Sequence, residues 1–131
     1  MINFPVSPPP RRNLSILQYL VAAYKLWHEF LPHIPKDARY TLGTKIDNLL
    51  IETIELIFTA SYLKREQKLP YLQKAAAKLD IVKFFFQIIW EIKALDNKKY
   101  VLISEKLNEV GRMLGGWLRQ TTSRNQLTEH Y

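Results

Sequence analysis

The sequence has no cysteine and only four glycines. The missing thiols exclude a disulfide framework, a thiolate zinc site and cysteine catalysis. No glycine-rich loop precedes a helix with Lys-Ser or Lys-Thr, which excludes a P-loop. Nothing approaches the ~18 uninterrupted apolar residues of a membrane span. The start, Met1-Ile2-Asn3-Phe4-Pro5, lacks the basic head and apolar run of a secretory signal. Histidine is scarce: His28 and His33 lack a carboxylate at ligand spacing, and with His130 they show no Ser or Asp arrangement of a triad. The Glu-x-x-His repeats of di-iron bundles are absent as well. Glu52 and Glu55 form a pair on a polar stripe, which reads as a solvated face. These absences lead to the expectation of a non-enzyme without metal or cofactor, cytoplasmic and not bound to membranes.

What is present is apolar and basic. The 131 residues suit one domain, and a 47% hydrophobic content is ample for a packed core. Nineteen Lys and Arg against twelve Asp and Glu give +7, a balance that favours polyanionic partners.

Breakers are distributed unevenly. Pro5, Pro8, Pro9 and Pro10 make residues 1–12 an extended leader ending in Arg11 and Arg12. Residues 13–120 then carry four segments with helical spacing, and residues 121–131 form a polar, frayed tail. The first helix spans Asn13, a candidate N-cap, to Leu31, and the second Lys36 to Leu63. The third begins at Pro70, which suits a first helical turn, and ends near Ala94. The fourth starts at a cap formed by Asp96 or Asn97 and reaches Gln120. Without strand alternation or hairpin signals, the expected fold is all-α: an antiparallel up-down four-helix bundle of rods about 30–40 Å long.

The second and third helices are apolar over about twice the ~100° arc that a bundle core needs. In the third, Ile81, Val82, Phe84, Phe85, Ile88, Ile89 and Ile92 cover most of the circumference, with Ile81, Phe85 and Ile92 expected in the core. Ile51 and Phe58 flank the second helix, and Trp90 edges the polar stripe of the third. Surplus apolar surface of this kind marks contacts, so self-association is expected. In the fourth helix, Gly111 and Gly115 share a face while Leu114, Trp117 and Leu118 maintain helical spacing past them. Each glycine costs about 1 kcal/mol relative to alanine, so the pair reads as a notch for close packing.

The positive charge is localised. Residues 64–99 carry +5, against −1 for residues 36–63 and +1 for residues 100–131. Lys74 and Lys78, four apart, share a helical face. A ring of copies would repeat this charge around an axis and bind phosphate backbones in a salt-dependent way without base readout.

Three stretches together carry a family likeness: Arg39-Tyr40-Thr41-Leu42-Gly43-Thr44-Lys45-Ile46, the third helix from Leu79 onward, and Glu109-Val110-Gly111-Arg112-Met113-Leu114-Gly115-Gly116-Trp117-Leu118. Over residues 20–119 the chain resembles the accessory variability determinant (Avd) of diversity-generating retroelements. It also resembles the related four-helix proteins encoded in intervening sequences of 23S ribosomal RNA genes. The resemblance implies a barrel-like homopentamer with a basic surface that binds RNA and DNA and the element's reverse transcriptase. In that role it would support mutagenic retrohoming without catalysis of its own. The alternative it leaves is an intervening-sequence-type scaffold that binds RNA or an acidic protein. Family members carry arginine where this chain has Gln87, and Lys83 stands at another basic position, keeping the charge without the bidentate fork. The expected phosphate contacts are Arg39, Lys45, Lys74, Lys78, Lys83, Arg112 and Arg119. The expected packing and assembly residues are Ile51, Phe58, Trp90, Gly111, Gly115 and Trp117.

Overall fold

A computed structural model describes residues 11–129, and side chains for residues 15–123. Among the described residues every element is helical. The elements are α1 (Arg11–Phe30), a 3-10 turn (Leu31–His33), the single turn α2 (Lys36–Ala38), a π-helical segment (Arg39–Gly43), α3 (Thr44–Tyr62), α4 (Arg65–Glu91) and α5 (Asn97–Glu129). α2, the π segment and α3 follow without a break, so they form one rod. The four rods pack as a bundle in which each lies beside its chain neighbour and α5 closes against α1.

The core follows from helical periodicity. Each rod contributes residues three and four apart: Ile16, Leu20, Ala23 and Trp27 from α1; Ile46, Leu49, Leu50, Thr53 and Ile57 from α3. α4 adds Leu72, Ala75, Leu79, Val82, Phe86 and Ile89, and α5 adds Ile103, Leu107, Val110, Leu114 and Trp117. The centre is an edge-to-face pair, Trp27 on Phe86, with ring centroids 5.1 Å apart at 87°. The ring quadrupoles favour that geometry. Thr53 and Ser61 are buried without penalty because each hydroxyl donates to the carbonyl one turn back, on Leu49 at 2.7 Å and on Ile57 at 2.9 Å.

The π segment coincides with Arg-Tyr-Thr-Leu-Gly. Its wide turn weakens the backbone ladder, and hydroxyls compensate: Thr41 donates to the Asp37 carbonyl at 2.7 Å and Thr44 to that of Arg39 at 3.4 Å. The α4–α5 connection is also closed locally. Lys93 has φ 63°, and the backbone N–H groups of Lys93 and Ala94 donate to the carbonyls of Trp90 and Ile89 at 2.9 and 3.0 Å. This is a Schellman closure with lysine in the position that glycine usually takes. Asp96 then caps α5, accepting the Lys99 backbone N–H at 2.9 Å and its ammonium at 2.7 Å. Those bonds hold the Asp96 carboxyl below the usual aspartate range, the Lys99 side chain contributing most.

Four sequence expectations are revised. α1 begins at Arg11, so Arg11 and Arg12 belong to the helix and Asn13 is no cap. The remainder of the leader, residues 1–10, lies outside the described residues. α4 begins at Arg65, and Pro70 is its sixth residue, exposed inside the helix. The added turn is held from outside, because the Lys68 ammonium lies over the Trp117 ring. The outward side of α4 is not core: Ile81 and Ile92 are exposed, Phe85 is only half-buried, and the central aromatic is Phe86. Finally, α5 runs past Gly115, Gly116 and Gln120 to Glu129, with Thr121 buried, so the polar tail continues the rod. The last two residues, 130–131, lie outside the described residues.

Candidate nucleic-acid interface

The basic residues expected from sequence separate into three groups. The first lies on the α3–α4 face. Lys78 bridges to Glu52 at 2.8 Å, tying the two helices together. The Lys78 hydrogen bond and charge, with a smaller contribution from Lys45, hold the exposed Glu52 carboxyl below its ordinary range. Lys45 and Lys78 thus flank one carboxylate, and Lys74 is exposed one turn from Lys78. Three cations against Glu52 and Glu55, which share a stripe, leave this face with a positive excess.

The second group borders the groove between α4 and α5. A cavity of about 400 Å³ is lined by Leu79, Asp80, Lys83, Gly111, Arg112 and Gly115, among others. A neighbouring one of about 340 Å³ shares Asp80, Lys83 and Asn108, and continues along Phe84, Gln87 and Tyr100. Gly111 forms the notch expected from sequence, and its occupant is the Lys83 side chain: a Cβ on Gly111 would lie 2.8 Å from the ammonium nitrogen. Gly115 faces no neighbouring helix, and the nearest side-chain atom to a Cβ there would be on Arg119, at 3.4 Å. Arg112 is 71% exposed and pairs with Glu109, one turn back. This groove carries cations, but Asp80 and Glu109 temper them.

Arg39 stands apart. Its Nε and Nη2 donate to the Ile34 carbonyl at 3.1 and 2.8 Å, and Nη2 also to that of Pro32 at 3.3 Å. It fastens the α1–α2 connection to the π segment. Its matching of the family stretch therefore has a sufficient explanation in the fold.

The residues expected at assembly contacts also divide. Trp90 is committed within the chain, donating from Nε1 to the Asn97 side-chain oxygen at 2.6 Å and stacking on Tyr100 at 4.8 Å and 9°. Trp117 is buried in the core under Lys68, and Phe58 packs on Tyr62 at 5.1 Å. Ile51 is exposed. Sequence reasoning placed Phe84, Ile81 and Ile92 on α4 without assigning them outward; they are 57%, 43% and 55% exposed. With half-buried Ile88 they form one stripe at helical spacing on the side of α4 away from the core. Their periodicity was readable; which of two apolar faces would turn inward was not.

Among the described residues no cluster of three His, Asp or Glu could hold a metal ion. None of the helices among them is long and apolar enough to cross a membrane. A sequence family described as bAvd-like matches residues 14–121, from the first turns of α1 to the buried Thr121 in α5. No curated protein matches the chain.

Proposed function

Since the chain belongs to the bAvd-like family, we propose that it serves a diversity-generating retroelement as a non-catalytic accessory factor. In this reading it binds template RNA and cDNA through their phosphates and engages the element's reverse transcriptase. It works in the cytoplasm as a ring-like homopentamer.

The observation that carries the nucleic-acid part is the α3–α4 face, where Lys45 and Lys78 act on the Glu52 carboxylate and Lys74 is exposed one turn from Lys78. Solvated lysines of this kind neutralise phosphates and release counterions, which supplies affinity with little sequence preference. Lys83, Arg112 and Arg119 extend the positive surface across the α4–α5 groove, and Arg39 is withdrawn from the set because its guanidinium is spent on the connection. Self-association is supported by the exposed α4 stripe of Ile81, Phe84, Ile88 and Ile92, which a monomer would leave in water.

The test has three measurements. Sedimentation should give a mass several times 15.5 kDa. Affinity for RNA and duplex DNA should fall steeply with salt, and Lys74→Glu with Lys78→Glu should weaken it without changing the mass. Co-purification with the element's reverse transcriptase should succeed from the native pair. A monomer indifferent to polynucleotides at low salt would refute the reading. Binding that survives both charge reversals would remove those lysines from the contact surface.

A further inference from the structure

At the end of the bundle where α3 turns into α4, a cleft of about 260 Å³ is lined by Leu63, Arg65, Lys68, Trp117, Gln120 and Thr121. Two observations there are unexplained by the packing. Arg65 and Lys68 face the same space with no ion pair among the described residues. Thr121, only 4% exposed, lines the cleft, and its hydroxyl makes no hydrogen bond among the described residues. Thr53 and Ser61 in the same bundle bond back along the helix, whereas the Thr121 hydroxyl is left for another partner, its oxygen not sealed from water.

The remaining features complete an anion cradle. α4 begins here, and Lys64 at its N-cap offers no side-chain bond to the first-turn N–H groups. The helix dipole therefore adds positive potential to that of the side chains. The Lys68 ammonium is held over the Trp117 ring, 5.3 Å from its centroid, so its position is fixed. Partial burial, then the charge of Arg65, push that ammonium below the ordinary lysine value, as expected of a cation that lacks a counter-charge.

We propose that this cleft is a phosphate-binding subsite, in which Arg65, Lys68 and the Thr121 hydroxyl grip one phosphate of the nucleic-acid backbone. Its assignment to nucleic acid rests on the function proposed above. The chemistry of the cradle, a guanidinium, an ammonium, a hydroxyl and a helix N-terminus, suits a phosphate oxyanion.

Two variants test it in the full-length protein. Arg65→Gln with Lys68→Gln removes both positive charges, and its Tm without phosphate shows whether the first turn of α4 survives the loss of the Lys68–Trp117 contact. Thr121→Val replaces the unpaired hydroxyl with a methyl of the same shape. Labelled single-stranded RNA is titrated at several salt concentrations, and thermal unfolding is followed with inorganic phosphate against sodium chloride of equal ionic strength. The double variant should flatten the plot of log affinity against log salt by about 0.7 for each phosphate that it no longer neutralises. Thr121→Val should weaken RNA binding by about tenfold, the scale of a hydrogen bond to a charged group. It should also reduce the Tm shift that phosphate produces, while Thr121→Ser keeps both binding and shift. RNA binding by the wild type with slopes and affinities unchanged in both variants would overturn the subsite and leave the proposed function standing. Failure of the wild type to bind RNA, with a phosphate-dependent Tm shift that disappears in the double variant, would support the subsite and overturn the nucleic-acid reading. No response to either probe would overturn both.

Discussion

α4 has two apolar faces of similar composition and opposite fate. The inner one, Leu72, Ala75, Leu79, Val82, Phe86 and Ile89, is buried against the other three rods. The outer one, Ile81, Phe84, Ile88 and Ile92, faces away from them, and its members at 81, 84 and 92 are exposed. The difference teaches that apolar content sets only how much surface a helix must hide. What hides it depends on the neighbours. The inner face has the small Ala75 and the T-shaped Phe86–Trp27 contact, so three rods can close around it. The outer face has bulky side chains and no rod beside it, and the proposed self-association is assigned to it for that reason.

The comparison can be broken most sharply from the inside. Phe86→Ala should cost about 3–5 kcal/mol, because the cavity lies at the centre of the core and Trp27 is left without its aromatic partner; denaturant unfolding measures this. Phe84→Ala, two residues earlier, should change monomer stability far less. Equal destabilisation by both would mean that the two faces are not distinct.

The outer face is sharpened by charge. Ile81→Glu with Phe84→Glu should leave the helical circular dichroism intact and reduce the sedimenting mass to 15.5 kDa. Unfolding instead of dissociation would assign the stripe to the core.

Smaller effects concern the elements that hold α5 against α4. Asp96→Asn should lower the Tm at neutral pH. Because the folded Asp96 carboxyl titrates below its ordinary value, its contribution is complete above the unfolded pKa and fades as pH falls through the folded one. The deficit of the variant should therefore shrink in acid; a deficit independent of pH would dissociate the cap from the charge.

Gly111→Ala sets helix propensity against Lys83. The contact of 2.8 Å is with the end of a flexible side chain, which can swing into the groove. The gain of about 0.5–1 kcal/mol from removing a mid-helix glycine should therefore prevail, and the Tm should rise slightly. A fall would show Lys83 to be fixed. At Lys93, where φ is 63°, glycine should stabilise by at most about 1 kcal/mol, since it relieves the left-handed conformation at the expense of chain entropy.

Much of the architecture was legible before the fold was known. Pro32 and Pro35 bracketed the first break, Asp96 or Asn97 announced the cap of α5, and spacings of three and four marked every rod. The start of α4 was not legible, because local rules place proline in a first turn, whereas a contact between Lys68 and Trp117, distant in sequence, holds an earlier turn in place. Of the candidate site, the lysines of α4 were legible as a charge excess. Their division between faces was not, since it depends on which groups the neighbouring rods bring up: Glu52 beside Lys78, Gly111 beneath Lys83, Pro32 and Ile34 around Arg39. The cleft at Thr121 escaped sequence reading altogether, because nothing local distinguishes that threonine from the polar residues that follow it.

By itself the chain determined its helicity, its surplus of apolar surface and its excess of positive charge, since these follow from side-chain chemistry and periodicity alone. Which apolar stripe became core, which cations were spent on carbonyls and carboxylates, and where an unpaired hydroxyl met two unpaired cations were decided only by packing. Burial and pairing are relations between residues distant in sequence, and no single helix contains them.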